Sequence, residues 1–457
     1  MSLLRLCLLS GMIALPVSLW TGMSIAETLE EAYIDAYTSN PALDAQRAAL
    51  RATDEGVSQA LSGWRPTVTL NTSYGVQEQD TGFTSQTTTP LSTQLTVSQP
   101  IYTGGRVTNQ RRQADAQVQS GRSALLSIEQ DTLLATVTAY VNVQRDEKVV
   151  SLNENNVNVL RRQLRASKDR FDVGEATKTD VAQSRARVAR AVSDLTQSQA
   201  QLTNSWANYE RVIGHLPGIL QAPPPLVDLP GTLEDANKTA QIENPLITSA
   251  LHAESAAHAG IGVAKSGLYP RVSIEGNYSY LTDTTGPQRD TDTASLLGRL
   301  TVPLYQGGVV YSQIRQAEQI RSQRRREIAD ARRRVLESVT QAWAALTAAR
   351  ATNVSNKAQV TANLVALDGV QQELLVGSRT QLDVLDAEQE LLNSKVSLVR
   401  SQRDEYVAAH QLRTSMGRMT VQALGIPVTV YDPRVNYRRV RDKWFGGYST
   451  LFGSHSN

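Results

Sequence analysis

Laid over itself with a shift of about 203 residues, the 457-residue chain coincides at the residues that shape backbone. Thr28-Leu29-Glu30-Glu31-Ala32 returns as Thr232-Leu233-Glu234-Asp235-Ala236, Asn40-Pro41 returns as Asn244-Pro245, and Trp64-Arg65-Pro66 meets Leu268-Tyr269-Pro270. Pro100-Ile101-Tyr102-Thr103-Gly104-Gly105 meets Pro303-Leu304-Tyr305-Gln306-Gly307-Gly308. Further on, Val173-Gly174 before Thr179-Asp180-Val181 meets Val376-Gly377 before Leu382-Asp383-Val384. Caps, breakers and turns held in register over that distance require two copies of one supersecondary unit. The expected divisions are a first repeat over 27–216, a proline-rich linker over 217–231, a second repeat over 232–417 and a tail over 418–457 outside the repeat.

Within each repeat the pattern reads helix, strand, loop, strand, very long helix, glycine turn, helix. The long helices are expected over Arg106 to Asp172 and Val309 to Val376; neither contains proline, and at 1.5 Å per residue each reaches about 100 Å. The shorter helices, Leu29 to Leu61 and Asp180 to Ile213 in the first repeat, together match one long helix, so two short helices stacked end to end would run beside it. Aromatic residues are only 5% of the chain, which suits helices meeting along narrow seams rather than around a wide core. Val181, Val188, Leu195, Leu202 and Tyr209 recur every seven residues, as do Leu385, Leu392, Val399 and Tyr406 in the other repeat, the period of supercoiled helices.

The strands are expected near 66–78, 91–101, 270–281 and 294–303. Val68, Leu70, Tyr74 and Val76 alternate with Thr69, Asn71, Ser73 and Gln77, and the other three segments alternate in the same way. About ten residues of period-two alternation fit a sheet with lipid on one face and water on the other, and fit equally a half-buried soluble sheet. The connecting segments Glu78 to Pro90 and Thr282 to Thr293 are long and polar, as on the outer side of a membrane barrel. Four strands cannot close a barrel, and in lipid an open edge would strand its backbone donors and acceptors, so several protomers must share one barrel. Twelve strands, from three protomers, would leave a lumen where eight would not.

Residues 1–26 read as a signal peptide: Arg5, an apolar run from Leu6 to Trp20, and small residues at Ser24 and Ala26. The single cysteine, Cys7, falls inside it, so no disulfide, thiolate metal ligand or lipid-bearing cysteine is expected in the mature chain. The net charge of +2 gives no reason to expect nucleic acid. No Walker loop, H-E-x-x-H or G-x-S-x-G is present and the five histidines are scattered, so neither catalysis nor a cofactor is expected. Two features stay open: the basic band Arg324-Arg325-Arg326 and Arg332-Arg333-Arg334, as a solvated face, an interhelix charge complement or, third, a nucleic-acid contact, and the basic, aromatic tail from Tyr437 to Phe445, as a partly ordered strap on the helices or plain disorder ahead of a membrane-surface or nucleic-acid-binding segment.

In their order and register, the duplication, the Pro-x-Tyr-x-Gly-Gly strand exits and the Val-Gly tips resemble the TolC family of outer-membrane efflux and secretion ducts, over essentially the whole mature chain. The resemblance implies a mainly helical, internally duplicated protomer that forms, as a homotrimer, a twelve-stranded barrel on a periplasmic α-barrel. It further implies partners: a periplasmic adaptor and an inner-membrane efflux pump or ABC exporter. Asp383 and Asp386 match the acidic rings of the periplasmic gate, Arg379 matches the arginine that tethers neighbouring helices, and Thr179 and Asp180 match its partners. Where the family type has a tyrosine three residues before the tip glycine, this chain has Leu374. Gly174 and Gly377 mark the tips that meet the adaptor. Read from the residues alone, Asp180 and Asp383 are also first-turn caps, and the two glycines are helix terminators. The rival reading is a soluble periplasmic coiled-coil scaffold or adaptor, which leaves the two-faced strands unexplained.

Overall fold

The computed structural model describes residues 26–283 and 290–446. The expected signal peptide up to Ser24-Ile25, the tip of the second polar loop and the end of the tail lie outside the described residues. In chain order the elements are α1 (Leu29–Ser39), α2 (Pro41–Ser62), β1 (Thr67–Tyr74), β2 (Gln77–Asp80), β3 (Ser85–Thr88), β4 (Leu91–Tyr102), α3 (Arg106–Asp172) and α4 (Lys178–Ile213). The second repeat supplies α5 (Leu233–Glu243), α6 (Pro245–Lys265), β5 (Arg271–Thr282), β6 (Asp290–Thr301), α7 (Val309–Leu375) and α8 (Gln381–Met416), and the tail adds α9 (Arg434–Arg441).

The two long helices have 67 residues each and start from the same device, a Gly-Gly pair in left-handed backbone, separated by one residue from β4 in the first repeat and by five residues from β6 in the second. The shorter helices run beside them, end to end as expected, but each membrane-side member is broken in two. The break falls at Asn40-Pro41 and at Asn244-Pro245, where a single helix from Leu29 to Leu61 was expected. The physical reason is the dipeptide itself. Asn40 leaves helical conformation and its Oδ1 accepts from Ala42 N at 3.0 Å, while Pro41 opens α2 with no N–H to waste. The asparagine's Nδ2 reaches the other way, donating to the Val212 carbonyl at the end of α4 at 2.9 Å, and Asn244 Nδ2 donates to Ser415 O at the end of α8 at 2.8 Å. One side chain thus caps two helices that abut.

Four strands form an antiparallel sheet in the order β1-β4-β5-β6, and the β4–β5 pair joins the two repeats. Its register stacks like with like. Val68, Val97, Gly276 and Leu296 form one row across the sheet, and Leu70, Leu95, Tyr278 and Ala294 another. The polar row of Thr69, Thr96, Asn277 and Ser295 lies between them, and that of Asn71, Gln94, Ser279 and Thr293 follows beyond the second. Among the described residues no helix covers the apolar face: Val68 is 64% and Leu296 76% exposed, which decides for lipid over a half-buried soluble sheet. β1 and β6 are the edges, each with one side unpaired. The first polar loop is not wholly irregular, since β2 and β3 pair as a short hairpin within it. Among the described residues no helix is long and apolar enough to cross a membrane.

The widest core sits where the short helices end against the middle of the long ones. Leu133, Val137 and Tyr140 of α3 pack there with Tyr33 and Tyr37 of α1, Tyr209 and Ile213 of α4, and Met419 and Val421 of the tail. Towards the helix tips burial narrows to a stripe, and the stripe adds a second set of residues to the expected seam. The most deeply buried residues of α4 towards the tip are a second heptad, Ser184, Ala191, Ser198 and Ser205, while of the expected one Tyr209 is fully buried and Val181, Val188, Leu195 and Leu202 are half-buried. Small side chains let α3 and α4 approach closely, as the Ser167–Ser184 hydroxyl contact at 3.1 Å shows. The large heptad flanks the same contact and extends it: Val188 and Leu195 pack with Val157 and Leu160 of α3 and with Leu385 of α8.

Candidate gate at the helix tips

The two hairpin tips are built on the same backbone turn. Gly174 and Gly377 adopt φ of +85° and +77°, where only glycine is unstrained. Each closes its long helix by a Schellman pair: Glu175 N donates to Arg170 O at 2.8 Å and Gly174 N to Phe171 O at 3.0 Å, while Ser378 N donates to Glu373 O at 3.0 Å and Gly377 N to Leu374 O at 3.1 Å. A Cβ at either glycine would meet nothing within 4 Å, so the tips are open to an incoming surface and backbone conformation alone demands glycine.

The returning helices start with identical capping boxes. Thr177 and Thr380 are the caps; Asp180 accepts from Thr177 N and Oγ1 at 2.8 Å each, and Asp383 accepts from Thr380 N and Oγ1 at 2.8 Å each. The backbone N–H of Thr177, and then its hydroxyl, hold the Asp180 carboxyl below its usual range, and Thr380 does the same for Asp383. Both aspartates are therefore charged at neutral pH, and both complete a capping box.

The remaining matched residues separate. Arg379 turns back along its own tip, its Nε 2.8 Å from Glu373 Oε2, and lies near enough to Asp383 to feel its charge. Within a protomer it reaches neither Thr179 nor Asp180, so a bond to them would run between protomers. Thr179 is exposed in the first turn of α4; the threonine that caps is Thr177. Leu374 is half-buried and offers no hydroxyl, and the adjacent Glu373 supplies the polar contact at this tip.

Asp386 is ion-paired with Arg187 of α4, a partner that sequence reasoning missed. Beside it, Gln381 Nε2 donates to Gln163 Oε1 at 2.6 Å and Gln163 Nε2 donates to Glu388 Oε1 at 3.0 Å, so a chain of polar groups ties α8 to α3. Burial pushes the Glu388 carboxyl up. The available signal was positional. Arg187 and Asp386 immediately flank Val188 and Leu385, where charged residues commonly pair across a coiled-coil seam. Elsewhere on α7, Arg324 and Arg334 pair with Glu327 and Asp330 of the same helix, as on a solvated face, and the Glu129 carboxylate facing the equivalent zone accepts from Val421 N in the tail.

Residues 32–215 and 237–418, one span per repeat, match the outer membrane efflux protein family. The outer membrane efflux protein BepC of Brucella suis is 34% identical over 441 residues, covering 96% of both chains, and the outer membrane protein TolC of Escherichia coli is 26% identical, covering 91% of this chain and 87% of its own. The Campylobacter jejuni CmeC outer membrane channel superposes with a TM-score of 0.77 at 15% identity, over 91% of this chain and 89% of that one. With a two-faced sheet open at both edges and paired helical hairpins continuing from it, the chain belongs to the outer membrane efflux protein family, as a TolC-like channel protomer with strands in the outer membrane and helices in the periplasm.

Proposed function

We propose that the protein is the passive exit duct of a tripartite efflux or type I secretion assembly, with no catalytic step of its own. Three protomers close a twelve-stranded barrel by joining β6 of one to β1 of the next, which removes both open edges and leaves a lumen lined by the polar rows. The helical hairpins continue the ring into the periplasm. A periplasmic adaptor docks at the tips around Gly174 and Gly377, and an inner-membrane pump or ABC exporter supplies energy and selects the cargo. The single observation that carries this reading is the sheet with an uncovered apolar face and two unpaired edges, continuous with hairpins of about 100 Å.

The gate lies at the second tip. Asp383, ionised by its cap, and Asp386 are brought by threefold symmetry into two acidic rings that favour cations and bind a blocking multivalent cation. Arg379 tethers neighbouring protomers through Thr179 and Asp180 when released from Glu373. The test is the intact oligomer in planar bilayers. Asp383→Ala with Asp386→Ala is expected to abolish cation preference and to weaken block by a trivalent cation at least tenfold. Unchanged selectivity and block would remove the acidic rings from the gate, and a monomer dispersed without detergent would remove the duct.

A further inference from the structure

The four strands leave the membrane through four junctions whose charge has one sign. Between Gly56 and Val76, Leu91 and Ala114, Ser255 and Ile274, and Leu300 and Ala317 the sequence holds seven Lys or Arg and no Asp or Glu; acidic residues resume at Glu55, Asp115, Glu254, Glu275 and Glu318, and of the seven cations Arg111 is paired with Asp115. Arg106, Arg112, Lys265 and Arg315 are exposed there with no ion pair among the described residues. Trp64, Tyr102, Tyr269 and Tyr305 are exposed, one in each junction, with Tyr102 and Tyr305 at matching positions of the repeat, and Tyr102 pairs with Val272 on the apolar face of the sheet.

The tail is built to reach this level. Met419 and Val421 enter the core of the first repeat; α9 then lies along α2, with Asn436 Nδ2 donating to buried Asp54 at 2.8 Å and Tyr437 OH donating to Asp115 of α3 at 2.8 Å beneath the Arg122 guanidinium. Beyond α9 the Lys443 carbonyl accepts from Arg65 Nη1 at 2.7 Å and Ser58 Oγ at 3.3 Å, and the Arg65 guanidinium lies 5.2 Å above the Trp444 ring. Arg65 stands two residues before β1. The strap therefore delivers Trp444, 57% exposed, and Phe445, 85% exposed, to the foot of a lipid-facing strand. Aromatic side chains at a water boundary and cations within a Debye length of it, about 8 Å, are what a membrane interface with negative headgroups selects.

We infer that the strand–helix junctions and the C-terminal strap form a cationic, aromatic collar that binds the phosphate headgroups of anionic phospholipids in the periplasmic leaflet of the outer membrane. Arg65, Arg106, Arg112 and Lys265 supply the charge, and Trp444 and Phe445 enter the headgroup–acyl boundary. The inference rests on strands in the outer membrane with helices on the periplasmic side; it is independent of the gate.

The test places the detergent-purified oligomer in nanodiscs of equimolar phosphatidylcholine and phosphatidylglycerol and quantifies the lipid retained after brief delipidation. Wild type should retain phosphatidylglycerol at least about fivefold over phosphatidylcholine, the worth of a single interfacial cation. That preference should fall to parity in 0.5 M salt and in the R65Q/R106Q/R112Q/K265Q variant, while W444A/F445A should lower total retained lipid. Equal retention of the two lipids by wild type, or an unchanged preference in the fourfold variant, overturns the collar. If the fourfold variant fails to assemble, Arg65→Gln alone must still lower the preference at least twofold, and no change there also overturns it. Retention of added lipopolysaccharide ahead of phosphatidylglycerol would put the charge at the opposite leaflet and overturn it as well.

Discussion

His410 shows how much one buried side chain in a helical rod can couple to solution pH. It is 3% exposed on α8, its ring 4.7 Å from that of Tyr406 and its Nδ1 2.9 Å from the Tyr406 carbonyl. Burial is the largest influence and, helped by the Arg413 charge, it pulls the imidazole down to about 4 against the carbonyl that favours the protonated form. An unfolded histidine titrates near 6.5, so between that pH and about 4 the unfolded chain binds the extra proton. Stability from this group is complete above pH 6.5 and is lost as pH falls through the window, by up to about 3 kcal/mol per protomer. Buried Glu129, whose carboxyl is raised by burial, acts with the opposite sign, so the measurement is a difference. The melting temperature of wild type should fall more between pH 7 and 4.5 than that of His410→Gln. Parallel curves for the two proteins would show that His410 is not the group that titrates.

At the scale of elements, the Asn-Pro joint is the device that keeps the flanking helices in line with the long one. Asn40→Ala removes the cap of α2, about 1 kcal/mol, and leaves the Val212 carbonyl without its donor, about 1 kcal/mol more. Asn40→Asp keeps the acceptor and loses only the donor, so it should cost roughly half as much, with faster amide exchange confined to the end of α4. Equal losses for Ala and Asp would show that the bridge to α4 contributes nothing. The same elements show what could be read from residues alone. Long helices, strand rows and tip glycines were legible because each depends on local backbone chemistry: no proline, strict alternation, a required positive φ. The break at Asn40 was written in the sequence but overridden by the helical run on both sides of it. The choice between the two heptads of α4 was not legible, because Ser184 to Ser205 and Val181 to Leu202 both have the seven-residue period, and only the position of α3 says which one is buried more deeply. Arg187 was missed for a related reason: it stands 199 positions from Asp386, and nothing local in either helix specifies that approach.

In the whole molecule, threefold symmetry multiplies weak contacts. The Arg187–Asp386 pair is partly exposed, with side chains 26% and 57% accessible, and such a pair is worth about 0.2–1 kcal/mol. In the proposed gate, opening separates α8 from α4 in every protomer, so three copies lost together would shift the closed–open balance by up to about 3 kcal/mol, on the order of a hundredfold. The same pair offsets the charge of Asp386, which gives the latch a signature that simple destabilisation lacks. Arg187→Ala should raise the open probability of single channels in the absence of any pump and, by freeing Asp386, should also raise cation preference. Arg379→Ser, which removes a cation from beside Asp383 and from the proposed tether, should likewise open the channel. The charge swap R187D/D386R should return conductance towards wild type without restoring the acidic ring, because it rebuilds the bridge with its polarity reversed. Wild-type conductance in Arg187→Ala, or no recovery in the swap, would mean that the tips are held shut by contacts between protomers alone.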